Sequence, residues 1–184
     1  MVITLPQAPF FAEVATARDI LSPSSLPATD DLCQSALEAV GLWNLVVSRG
    51  GLDTEFNSSS LSHGQRQLLS LARAVTRVKS RHQGSGGLLL LDEFNSSVDA
   101  GTDQMMQDVV MKEFASYTVV CVAHQLVGLM EYDRVVVMDR GRVAEVGTPQ
   151  GLLKQPSGKF RELFEVQERT RHDDGERDAA GLED

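Results

Sequence analysis

Cysteine is scarce in this chain. Its two thiols, Cys33 and Cys121, stand far apart in no metal-like spacing, and Cys121 lies in an apolar run where a thiol serves as a small hydrophobe. That leaves no disulfide framework or cysteine metal site, and a reduced, cytosolic setting fits best. Positive charge is also short. Lys and Arg number 17 against 26 Asp and Glu, a formal net charge of -9, and no basic stripe runs between aromatics, so nucleic acid is not an expected partner. Long apolar runs are missing too. None approaches the about 20 residues of a bilayer-spanning helix, and the first residues lack the charged and apolar regions of a signal peptide. Any membrane attachment has to be supplied from outside these 184 residues.

What the chain does have is a run of four leucines ending in two acids, LLLLDE from Leu88 to Glu93. Four apolar residues without a polar partner predict a short strand buried on both faces of a parallel sheet. Ligands collect at the carboxyl ends of such strands. There Asp92 suits the water shell of a magnesium ion and Glu93 suits a water that attacks a phosphate. Thr118 to Ala123 predicts a second apolar strand, ending at His124. Between the two, Asp99 can cap a helix in which Met106, Val110 and Phe114 recur at i, i+4 and i+8, long enough for a right-handed crossover. Val2 to Leu5 predicts a further strand, followed by Gln7 between Pro6 and Pro9 and a helical run from Phe10 to Leu21. Ser22 to Thr29 reads as a loop. Asp30 or Asp31 then caps a helix carrying Leu32, Ala36, Leu37 and Val40 and ended by Gly41, and a short helix from Leu42 to Val47 closes at Gly50-Gly51.

The most specific text is LSHGQRQLLSLARAV, starting at Leu61. Ser62 with Gln65 three residues later is a capping box, and Leu68, Leu71, Ala72, Val75 and Val78 keep one apolar face behind it. Gly64 lets the backbone of the first turn approach a ligand, and the orphan N–H groups there favour an anion. Lys79 to Gly87 reads as an exposed loop. Arg134 to Met138 and Arg142 to Val146 flank Asp139-Arg140-Gly141 as a hairpin, and Pro149 after Thr148 opens helices that reach about Val166. Residues from Thr170 to Asp184 form a tail too polar to fold alone.

Taken in order, Gln7 in its Pro-Gln-x-Pro turn, LSHGQ at 61 to 65, LLLLDE at 88 to 93, SSVD at 96 to 99 and His124 after an apolar strand resemble the latter portion of an ATP-binding cassette (ABC) nucleotide-binding domain. The resemblance runs from Val2 to about Glu165. It implies an α/β, P-loop NTPase-like layered fold with a mostly parallel sheet and a helical signature subdomain. Residues 1–165 would be a partial nucleotide-binding domain, with the Q-loop and helical subdomain at about 6–65 and the core at about 66–165, and 166–184 a polar, disordered tail. By position it implies that Gln7 is the Q-loop glutamine, Ser62, His63, Gly64 and Gln65 the signature, and Asp92 the magnesium-side aspartate, with Gln7 a water-mediated second contact. Glu93 would be the catalytic glutamate, Asp99 the D-loop aspartate and His124 the switch histidine that brackets the γ-phosphate with Glu93. The implied cofactors are ATP and Mg2+. The implied partners are a second nucleotide-binding domain, met head to tail through the signature, and the transmembrane domains of the same transporter, at the cytoplasmic face of a membrane. LWNLVVSRGGLDTEF and DRGRVAEVGTPQGLL look most like the second domain of C-subfamily, multidrug-resistance-associated-type exporters.

Three features depart from that family. The adenine-stacking aromatic and the P-loop are missing: the Gly158-Lys159 pair has Leu153 where the first P-loop Gly belongs and Phe160 where the Ser or Thr belongs. The expectation is therefore a chain lacking the first third of its domain and inactive alone. His63 stands where the signature commonly has Gly, and Lys79 to Gly87 is longer than the usual link. A coiled-coil chromosome-maintenance ATPase is ruled out by the short, heptad-free stretch between Gln7 and Leu61. Two other readings stay open: a non-catalytic module that completes a partner's ATP site, and an unstable truncation without function.

Overall fold

The computed structural model describes residues 1–23, 27–80, 86–94 and 98–180. It divides into two compact units, Met1–Val122 and Ala123–Asp184.

In the first unit, β1 (Val2–Leu5) leads to β2 (Val14–Thr16) and α1 (Ala17–Leu21), then α2 (Asp30–Ala39), α3 (Trp43–Ser48), β3 (Glu55–Asn57) and α4 (His63–Lys79). β4 (Leu88–Asp92), α5 (Ala100–Glu113) and β5 (Thr118–Val122) complete it. β1, β4 and β5 form a parallel sheet in that order, with Leu5 opposite Leu91 and Asp92 opposite Val122. β4 and β5 are joined through α5, as the apolar spacing predicts. The fold is thus mixed α/β around a parallel sheet.

The leucine strand corrects one expectation. Leu89 and Leu91 are buried, but Leu88 and Leu90 are half-buried, because side chains alternate across a strand and only one face of this sheet is packed. That face, Ile3, Leu5, Leu89 and Leu91, joins Leu68, Leu71, Ala72 and Val75 of α4 and Met106 and Val110 of α5 in a single core. On the other face Val2, Val120 and Val122 are exposed.

The expected helix from Phe10 to Leu21 is also corrected. Val14–Thr16 is a strand, paired antiparallel with Glu55–Asn57, and the helix starts only at Ala17, capped by Thr16. Three residues a side are too few for an alternation to show in sequence. α2 is capped by Thr29, whose hydroxyl accepts from the Leu32 N–H, so Asp30 and Asp31 fall in its first turn instead. Beneath it, Arg18 holds Asp30 and Asp53, which pull its guanidinium above the ordinary value.

In the second unit, β6 (Val135–Asp139) and β7 (Arg142–Gly147) form the expected hairpin, with Arg140 and Gly141 at φ 48 and 75 in the turn. α6 (Pro149–Leu153) begins at Pro149 behind a Thr148 cap. α7 (Lys159–Ala180) follows, its first N–H groups at Lys159 and Phe160 donating to the Glu145 carboxylate. Phe160 is buried with Val135, Val137 and Leu152, and the Lys159 ammonium pairs with Asp139 at 2.6 Å. The Gly-Lys pair is thus a packed helix start. Helical backbone also continues through residues 170–180, expected as an unstructured tail, which Arg161–Glu165 and Glu165–Arg169 pairs at i, i+4 help to propagate. Among the described residues no helix is long and apolar enough to cross a membrane.

Candidate functional site

β1 and β4 run parallel in register, so the residues just past their ends emerge on the same side. Gln7 follows β1 by two residues and Glu93 follows β4 by one. Their side chains meet: Gln7 Nε2 donates to Glu93 Oε2 at 2.7 Å. Glu93 sits at φ 45, a left-handed conformation that costs a non-glycine residue about 1–2 kcal/mol. Its N–H donates to the Val122 carbonyl at 3.0 Å and the next residue, Phe94, is buried, so the backbone is held on both sides of the strained residue. Asp92, the last residue of β4, is exposed beside it.

The capping box forms as its spacing predicts. Ser62 Oγ accepts from the Gln65 N–H at 3.1 Å, and Gln65 Oε1 accepts from the Ser62 N–H at 3.0 Å. Ser62 is exposed, so this helix start is open. Gly64 lies close to Val98: a Cβ there would stand 3.3 Å from Val98 Cγ1, a tight contact to which the valine side chain would have to adjust. Of the SSVD stretch, Ser96 and Ser97 lie outside the described residues, as does most of the Lys79 to Gly87 loop.

Sequence reasoning missed Gln67. It is fully buried in α4, and its Nε2 donates to the Gln7 carbonyl while lying 3.5 Å from His63 Nε2. It therefore connects α4 to the turn that presents Gln7. A glutamine one turn after the capping box, inside an otherwise apolar stripe, was the available signal. His63 and Arg66, with Phe10, Phe11 and Ser59, line a cleft of about 550 Å3; Asp92 and Glu93 do not line it.

Asp99 is occupied as the N-cap of α5, accepting from the Gly101 and Thr102 N–H groups at 3.0 Å and from the Thr102 hydroxyl at 2.6 Å. The Thr102 hydroxyl and N–H bonds hold its carboxyl below the ordinary value of 3.8. A lowered carboxyl adds stability that is complete above 3.8 and is lost as the pH falls through the lower folded value. Asn caps as well as Asp. Asp99→Asn therefore leaves stability near neutral pH unchanged and makes its decline on acidification below about pH 4 shallower, read from thermal melts in a pH series.

His124 belongs to the second unit, where it is exposed. Gln167 of α7 fixes its loop from both ends: Nε2 donates to the His124 carbonyl at 2.7 Å, and Oε1 accepts from the Leu126 N–H at 2.6 Å. Gln167 had no signal in the sequence.

No protein-family model matches the chain. It is 45% identical over 174 residues to the ABC-type transporter braE of Annulohypoxylon truncatum and 42% identical over 172 residues to the ABC transporter FGM5 of Gibberella zeae. These alignments cover 90% and 91% of this chain, which spans only 12% of the length of either relative. A solved bacterial Atm1-family ABC exporter with ATP bound shares its fold with a TM-score of 0.76, over 90% of this chain and 28% of the exporter chain, at 23% sequence identity. Over most of its length, then, the chain is homologous to a segment of proteins named ABC transporters, and its α/β fold around a parallel sheet is one that an ABC exporter chain contains.

Proposed function

We propose that the chain is part of the nucleotide-binding domain of an ABC exporter, with Glu93 and His124 as its catalytic residues, and that it hydrolyses ATP once a P-loop-bearing segment stands beside it. The observation that supports this most is the Gln7–Glu93 hydrogen bond at the carboxyl ends of adjacent parallel strands. It orients a carboxylate where a ligand gathers, and phosphoryl transfer asks mainly for positioning and charge.

The donor set fits magnesium. With Nε2 given to Glu93, Gln7 offers its Oε1, and Asp92 adds a hard carboxylate at the strand end. No group of three or more His, Cys, Asp or Glu among the described residues is placed to hold a metal. Mg2+ takes few protein ligands, keeps several waters and takes further oxygens from phosphates. When bound, the ion neutralises charge on the transferring phosphate. In this reading Glu93 orients the attacking water, and the Asp99 cap fixes the start of α5. Ser62, whose oxygen accepts from Gln65, keeps an O–H to donate. With the orphan N–H groups of His63 and Gly64 it faces a nucleotide held by a second such domain, head to tail. Transmembrane domains of the same transporter complete the assembly at the cytoplasmic face of its membrane, and the C-subfamily fits best.

Purified alone, the chain should release no phosphate from ATP; joined behind a P-loop-bearing segment of a relative, it should. Release by the chain alone overturns the reading. The exposed Ser62 turn favours a second one, in which the joined protein stays inactive but the chain tightens ATP binding by an intact partner domain.

A further inference from the structure

α4 carries two arginines one turn apart, Arg73 and Arg77, on the same side of the helix. The Nε of each is buried and makes no hydrogen bond to any described residue. Other cations of the chain are paired: Arg18, Lys79, Lys159 and Arg161 each meet a carboxylate at 3.3 Å or closer. Among the described residues no carboxylate pairs with Arg73 or Arg77, although the chain carries nine more acids than bases. Burial first and the Arg77 charge second pull the Arg73 guanidinium below its ordinary value. A guanidinium does not shed its proton in response.

The two side chains line one cavity of about 320 Å3 beside β1, with Thr4, Ser70, Phe10 and Phe11 among its walls. Two guanidinium groups in a confined, partly apolar space repel each other and favour an anion that bridges them. The planar fork of Arg matches an oxyanion with two or more oxygens, and Ser70 adds a hydroxyl donor. The Gln7–Glu93 site is not part of this cavity.

We propose that this cavity is an oxyanion-binding site in which a carboxylate or phosphate group bridges Arg73 and Arg77. The group comes from one of two sources, an acidic side chain on a polypeptide segment or free inorganic phosphate. The apolar walls of Phe10 and Phe11 favour the first, since they can cover the residues on either side of an acid.

The test is NMR of the Arg Nε–Hε groups in the whole 184-residue chain at constant ionic strength. It is titrated with inorganic phosphate, with the blocked peptide acetyl-Phe-Glu-Phe-amide, and with its Gln counterpart. Saturable shifts of both Arg73 and Arg77 by phosphate or the Glu peptide, and not by the Gln peptide, support the site. Stronger binding of the peptide assigns the polypeptide source, and stronger binding of phosphate the free ion. Arg73→Gln and Arg77→Gln should each weaken binding at least about tenfold, while Arg169→Gln, far along α7, should not. If a Gln variant does not fold, the titration of the unaltered chain and Arg77→Lys, which keeps the charge, still decide. No saturable shift by either anion, equal shifts by the Gln peptide, or undiminished binding in folded Gln variants overturns the proposal.

Discussion

Glu93→Gln lowers ATP turnover by about two to four orders of magnitude in the protein joined to a P-loop-bearing segment, and leaves ATP binding close to unchanged. The substitution is nearly isosteric. The oxygen of the introduced amide still accepts from Gln7 Nε2, so the 2.7 Å contact between the strand ends has a replacement. The backbone at φ 45 gains no new clash, because neither residue is β-branched. What changes is charge and basicity: an amide neither polarises a water nor takes its proton. Loss of turnover with binding retained is therefore the signature of a group that acts on the reacting water rather than on the nucleotide's ground state. The checks are phosphate release and equilibrium binding of a fluorescent ATP analogue. Turnover within about tenfold of the unaltered protein would show that Glu93 merely shapes the strand end, and the catalytic assignment would fall with it.

Much of the framework behind this prediction could be read from the chain text. The capping box at Ser62 and Gln65, the strand Leu88–Asp92, the Asp99 cap and the turn at Arg140-Gly141 are local devices whose spacing dictates their geometry. What stayed hidden is non-local. The β2–β3 pair joins two three-residue segments far apart in the chain, as Val14 opposite Asn57 shows. The half-burial of Leu88 and Leu90 depends on what covers one face of the sheet, which no pattern of four leucines reveals. At the site, the types and positions of Gln7 and Glu93 were legible. The left-handed turn at Glu93 was not, because a non-glycine residue gives no sign of a positive φ. Gln67 was hidden for a related reason: its partner is a backbone carbonyl 60 residues away, and a carbonyl has no letter in the sequence.

Phe94→Ala should destabilise the first unit by about 3–5 kcal/mol, the range for truncating a fully buried aromatic. Phe94 is 2% exposed and belongs to the cluster that holds Leu5, Leu91 and Met106, so its loss leaves a cavity directly under the strand ends. Against a total of about 5–15 kcal/mol for a typical domain, that is a large fraction. The chain has one tryptophan, Trp43 in α3 of the same unit, partly buried against this core, so urea unfolding followed by its fluorescence reports on it. Phe94→Leu keeps most of the apolar volume and should recover more than half of the loss. The same truncation also reaches the chemistry. Glu93 holds its strained φ because Phe94 is anchored on one side and the Val122 carbonyl takes its N–H on the other. Releasing the anchor lets the residue relax toward negative φ and swings the carboxylate off Gln7 Nε2. In the joined protein Phe94→Ala should therefore lower turnover even at temperatures where Trp43 shows the core still folded. A variant equally destabilised but remote from the strand end, such as Leu37→Ala in α2, should not. If the two variants lose turnover in parallel with stability, the strained carboxylate has no special dependence on Phe94, and the link between core packing and Glu93 orientation is broken.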